Sequence, residues 1–95
     1  MSHNCFAYIL TNPGKTVLYA GVTNDLRTRL QQHYANRGKK ETFAGKYHCY
    51  QLLYYERHSD VDHAIAREKE IKGWTRAKKD ALIATINPGR NFLVV

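Results

Sequence analysis

Ninety-five residues, 43% of them hydrophobic, suit one small globular domain over residues 1–95 and exclude a second. A net charge of +7 and an isoelectric point near 9.6 direct attention to a polyanionic partner, nucleic acid above all. No run spans a bilayer and no secretory leader is visible, so the chain reads as cytoplasmic, without a membrane partner. Its two cysteines, Cys5 and Cys49, then read as reduced, buried thiols.

Residues 1–4 read as a loose start. Cys5 to Leu10 has strand composition and runs into Thr11-Asn12-Pro13-Gly14-Lys15, where Pro presets φ and Gly accepts a turn. The β-branched and aromatic run Thr16 to Val22 is therefore expected to return antiparallel as a hairpin, with Tyr8 and Tyr19 on one side of the sheet. Thr23-Asn24-Asp25 supplies a helix start, and a first helix is expected from about Asn24 to Tyr34. On it Leu26 and Leu30 share one face, while Arg29 and His33, also four apart, line a neighbouring one. Arg27 points elsewhere.

Ala35 to Glu41 is polar and basic, and reads as a mobile loop along which a phosphate backbone can pass. Thr42 to His48 carries no clear signal. Cys49 to Glu56 is the third strand, apolar and aromatic enough for the sheet centre. Ser59-Asp60 offers an N-cap for a second helix on which Val61, Ala64, Ile65, Glu68, Ile71 and Lys72 follow helical spacing. Glu68 lies toward the buried stripe, where a carboxylate is costly unless paired, hydrogen-bonded or bound to a metal. Its plainest partners are Arg67 and Lys72.

Gly73 closes that helix, Trp74 anchors the joint, and Thr75 caps a third helix to about Thr85, with Ala81, Leu82 and Ile86 expected to pack inward. Asn87-Pro88-Gly89 stops it, and Asn91 to Val95 is an apolar tail that adds an edge strand or packs under the third helix. The architecture is α/β (α+β): a three-stranded, mostly antiparallel sheet flanked by three helices.

With these elements placed, the chain resembles the GIY-YIG nuclease superfamily, in particular small stand-alone bacterial members grouped with the N-terminal domain of the excision-repair nuclease UvrC. The first motif element matches as Phe6-Ala7-Tyr8, with its glycine and isoleucine replaced, and the second as Tyr19-Ala20-Gly21. The helical arginine matches Arg29, the histidine one turn later His33, the metal-binding glutamate Glu68, and the late asparagine Asn91. The resemblance covers nearly the whole chain, with no separate DNA-targeting domain.

It implies a metal-dependent endonuclease with nucleic acid as its partner, DNA ahead of RNA as the expected one, and structured, damaged or single-stranded DNA as candidate substrates. Glu68 would hold Mg²⁺ or Mn²⁺, and Arg29 would clamp a phosphate oxygen. Tyr19, supported by Tyr8, would orient or deprotonate the attacking water, while His33 shares the base role or contacts phosphate. Gly21 and Asn91 would be supporting residues, and Arg27, Arg37, Lys39, Lys40 and Lys46 the nucleic-acid contacts. The alternative is a non-catalytic nucleic-acid-binding module, or a module docking on a larger repair or replication protein. Taken singly, each residue has an ordinary structural role. Their joint occurrence favours the nuclease.

Overall fold

The computed structural model describes residues 4–95, so most of the expected loose start lies outside the described residues. The elements run β1 (Cys5–Thr11), β2 (Leu18–Thr23), α1 (Leu26–Ala35), α2 (Phe43–Lys46), β3 (Gln51–His58), α3 (Val61–Lys72) and α4 (Arg76–Ala84). Among the described residues the helices number four rather than the expected three. The addition is α2, one turn whose start is Thr42: its hydroxyl accepts from Gly45 N–H at 3.0 Å. A capped single turn has no amphipathic period, so composition alone does not reveal it.

The sheet is antiparallel in the order β2-β1-β3. This corrects one expectation, because the central strand is β1 and β3 lies on its far side. The burial explains why. All but Phe6 of β1 is buried, whereas Tyr55 and Arg57 of β3 are exposed. Along β1, Tyr8 and Leu10 face α1 and α2, packing with Leu26, Ala44, Cys49 and Leu52. Ile9 turns the other way, toward Ile71 of α3 and Ile83 of α4. A bulge breaks the β1–β3 register between Ile9 and Leu10, so that Tyr54 opposes Ile9 while Leu52 opposes Leu10. The extra residue switches the strand's alternation and lets Leu52 serve one layer, Leu53 and Tyr54 the other.

The helix starts follow the sequence closely. Asp25, Asp60 and Thr75 each accept a backbone N–H of the first turn. On α4 the buried residue is Ile83, while Ala81 and Ile86 are exposed and Leu82 is half-buried, which corrects the expected inward stripe by one position. The helix ends at Ala84, so Ile86 already belongs to the turn beyond it. The tail adds one bridge, Leu93 to Leu52, with Leu93 N–H donating to Leu52 O at 2.8 Å. Leu93 and Val95 pack on the α1 side of the sheet rather than under α4. Cys5 and Cys49 are both free and buried, and burial pushes the Cys49 thiol up to about 11.

Candidate active site

The hairpin puts Tyr8 and Tyr19 on the same face, because residues i and i+2 of paired strands share a side. Tyr8 stands opposite Gly21 across the β1–β2 ladder. A Cβ at Gly21 would lie 2.5 Å from the Tyr8 Cζ and hydroxyl oxygen, so glycine is what leaves room for the ring. That is the physical content of the third residue in Tyr19-Ala20-Gly21.

Tyr8 is 1% exposed, and its hydroxyl meets His33 Nε2 at 2.9 Å. The contact joins β1 to α1. His33 also packs edge-on against Tyr19, with centroids 5.5 Å apart. Burial, helped by the Arg29 charge, lowers the His33 pKa, so its imidazole is neutral at neutral pH; in the tautomer that donates Nε2–H to the Tyr8 oxygen, Nδ1 is the nitrogen able to accept a proton. Burial first, and then the neighbouring Tyr19, hold the Tyr8 phenol far above its ordinary value, with Arg29 opposing and Glu68 adding to the shift. Tyr8 is therefore a neutral hydroxyl. The same field shows that Arg29, Tyr19 and Glu68 lie close enough to Tyr8 to act on it electrostatically.

Arg29 is exposed on the α1 surface one turn before His33. Glu68 comes from α3, and its side chain is only 12% exposed. Lys72, one turn later, holds its carboxylate at 2.7 Å and places its ammonium 5.8 Å from the Tyr19 ring centroid. Arg67, the other expected partner, turns instead to Glu56 and Glu70. Tyr19, on the edge strand β2, is thus approached by His33 from α1 and by Lys72, the partner of Glu68, from α3. Four elements bring Tyr8, Tyr19, Arg29, His33 and Glu68 into one cluster.

The other expected residues have contacts of their own. Asn91 is exposed, and its backbone N–H donates to Asn87 Oδ1 at 3.0 Å; its side chain rests against Gly89 rather than a tyrosine. The buried amide is Asn87, 4% exposed, whose Nδ2 donates to Leu53 O and Asn91 O. The turn Asn87-Pro88-Gly89 hid this role, since an asparagine there reads as turn chemistry. Arg27 donates from Nε to Val95 O, and the Arg37 guanidinium lies 3.7 Å from the Tyr34 ring centroid. Arg27 and Tyr34 line a groove of about 480 Å³ with Tyr50 and the tail, on a different face of α1 from Arg29 and His33. Lys39 and Lys40 are exposed in the loop before α2, and Lys46 lies on α2 with its ammonium 5.3 Å from the Tyr47 ring. Phe43, stacked on Tyr19, and Lys72 complete the surroundings without having been singled out as site residues. For Lys72 the i,i+4 spacing from Glu68 was the available signal.

Residues 4–81 match the model of the GIY-YIG catalytic domain, and the chain belongs to the GIY-YIG family. Within it the chain is similar to a UPF0213 protein of Bacillus pumilus, 40% identical over 85% of this chain and 80% of that one. A UPF0213 protein of Natronomonas pharaonis is 36% identical over 88% and 95% of the two chains. The solution structure of a UPF0213 protein from Bacillus halodurans shares the fold, with a TM-score of 0.55 and 25% identity over 88% of this chain and 86% of that one. No helix among the described residues is long and apolar enough to cross a membrane.

Proposed function

We propose that this protein is a metal-dependent endonuclease that hydrolyses phosphodiester bonds in DNA. The observation that carries the reading is the convergence of Tyr8, His33, Tyr19, Arg29 and Glu68 from four separate elements. Plain phosphate binding has no use for a nearly buried carboxylate beside the site.

Among the described residues no three His, Cys, Asp or Glu side chains group to enclose a metal. Glu68 offers hard carboxylate oxygens, the donor chemistry of a Mg²⁺ or Mn²⁺ ion that keeps water and shares phosphate oxygens with its substrate. Bound there with Glu68, such an ion would supply charge neutralisation at the phosphate. Arg29 is exposed and permanently charged, and its planar donors suit a non-bridging phosphate oxygen. Neutral His33 accepts the proton of the attacking water, directly or through the Tyr19 hydroxyl, as the pentavalent centre forms. Tyr8 is too buried to meet the phosphate, and acts as a positioning residue that fixes the imidazole through its 2.9 Å bond.

The test is Mg²⁺-dependent nicking of single-stranded, duplex, flapped and branched DNA at low salt. Wild-type cleavage is expected to vanish in Glu68→Ala. It is expected to fall about 10²–10³-fold in Arg29→Ala, the usual cost of one transition-state donor. DNA binding without cleavage on any substrate, unchanged by Glu68→Ala, would reduce the protein to a binding module.

A further inference from the structure

The segment between α1 and β3 carries aromatic rings that the core does not use. Phe43 is 52% exposed, although phenylalanine is among the residue types most often buried, and Tyr47 is 40% exposed. The rings are ordered into a row. Tyr19 stacks on Phe43 with centroids 6.2 Å apart and planes 23° from parallel, and Phe43 meets Tyr47 at 4.7 Å. The row therefore starts at the site tyrosine and leads outward to solvent, with the Lys46 ammonium beside its far end.

The backbone beneath is tightly held. Ala44 is buried in the core cluster of Tyr8 and Leu10, and its carbonyl accepts from Cys49 N–H at 2.8 Å. Gly45 O accepts from Gly38 N–H at 2.8 Å, closing the preceding loop onto α2. A Cβ at Gly45 would strike the carbonyls of Asn36 and Lys39, so the turn and loop are packed backbone against backbone. Phe43 and Tyr47 flank this anchor. They are presented by a hydrogen-bonded, closely packed turn.

We propose that Phe43 and Tyr47 form a stacking subsite for an unpaired nucleobase of the substrate, next to the phosphate held at Tyr19 and Arg29. Three features fit that occupant. Ring faces attract bases of any sequence, since every base has a π-face. The adjacent Lys46 suits the backbone that an unpaired base brings with it. In a continuous duplex both base faces are already covered by stacked neighbours, so an exposed aromatic row gains nothing from one. The subsite rests on the nuclease reading only for where the scissile phosphate lies, and it selects strands that are single or locally opened.

The experiment is a fluorescence titration of the full chain against a short single-stranded DNA carrying 2-aminopurine, in EDTA so that no cleavage occurs. The same strand annealed to its complement is the reference. The wild type is expected to quench the single strand's 2-aminopurine and to bind it more tightly than the duplex. Phe43→Ala is expected to abolish the quench and weaken single-strand binding about 10-fold or more, with duplex binding unchanged. Phe43→Leu keeps an apolar contact on Tyr19 while removing the π-face, so it separates stacking from folding. A folded Phe43→Leu protein without quench supports the subsite. Undiminished quench in Phe43→Leu, or equal single-strand and duplex affinity in the wild type, overturns it. A wild type that quenches but never cleaves would sink the nuclease reading and leave the stacking subsite standing.

Discussion

Two glutamates of the same protein are treated in opposite ways. Glu56 on β3 accepts from Tyr54 Oη at 2.6 Å, contacts His58 Nε2 at 2.7 Å, and takes Arg67 Nε onto both oxygens at 3.1 and 3.2 Å. Burial pulls its pKa upward, and these partners outweigh the burial and hold it below the ordinary carboxylate value. Glu68 is less exposed, 12% against 20%, yet among the described residues its one ion-pair partner is Lys72, itself half-exposed on the next turn. A carboxylate whose lone pairs are taken up by fixed neighbours is part of the scaffold. One that is shielded from water but only lightly engaged retains the capacity to take a further positive group. Saturation, more than burial, separates the structural acid from the candidate ligand.

The comparison is broken most directly by neutralising each acid in turn. Glu68→Gln is expected to bring Mg²⁺-dependent cleavage below detection while moving stability by no more than about 0.5 kcal/mol, since its pair with Lys72 is a partly exposed helical one. Glu56→Gln is expected to do the reverse, with cleavage retained and about 1–3 kcal/mol of unfolding free energy lost as Arg67 and His58 lose their acceptor. Urea denaturation and a nicking assay on the same samples read both quantities. Equal loss of activity in the two variants would remove the distinction.

Gly21→Ala sharpens it from the tyrosine side. The added methyl collides with the Tyr8 ring, and the ring must move or the hairpin must open. A stability loss of about 1–3 kcal/mol is expected, together with weakened cleavage through the displaced His33 contact. Thermal unfolding beside the cleavage rate checks it. Full activity in a folded Gly21→Ala protein would show that the Tyr8–His33 bond does not matter.

The smallest expected effect is one of pH. The unfolded chain takes up the His33 proton at about 6.5, whereas burial and Arg29 make the folded protein resist it until lower pH. Unfolding therefore binds a proton in that window, and stability falls as pH drops from about 6.5 toward the folded value. His33→Gln is expected to flatten that part of the stability profile. The wild-type cleavage rate is expected to decline on its acid side below pH 6.5, not above it. An acid limb centred above 6.5 would contradict the buried, neutral imidazole.

Much of this was legible along the chain. Local chemistry fixes local structure, so Asp25, Asp60 and Thr75 announced their helices, and Asn12-Pro13-Gly14 announced the hairpin that aligns Tyr8 with Tyr19. Helical spacing put Glu68 on the inner side of α3 and set Arg29 with His33. What escaped depends on contacts between distant residues. Strand order is one case: β1 and β3 are both apolar, and only the partners on each side make β1 the centre. Asn87 is another, since its amide bridges Leu53 and Asn91, and the identity of Leu53 as its acceptor is written nowhere near it.

The sequence by itself determined the three strands, the three longer helices with their caps, the positive charge, and which side chains are candidates for the chemistry, because each follows from neighbours within a turn or a hairpin. The tertiary structure alone decided which of those side chains meet. It buried Tyr8 under His33, tied Glu68 to Lys72 while saturating Glu56, gave Asn91 a backbone bond to Asn87, and lined Phe43 and Tyr47 up behind Tyr19. The reason is physical. Packing and hydrogen-bond saturation are properties of whole neighbourhoods, and a neighbourhood exists only once the chain has closed on itself.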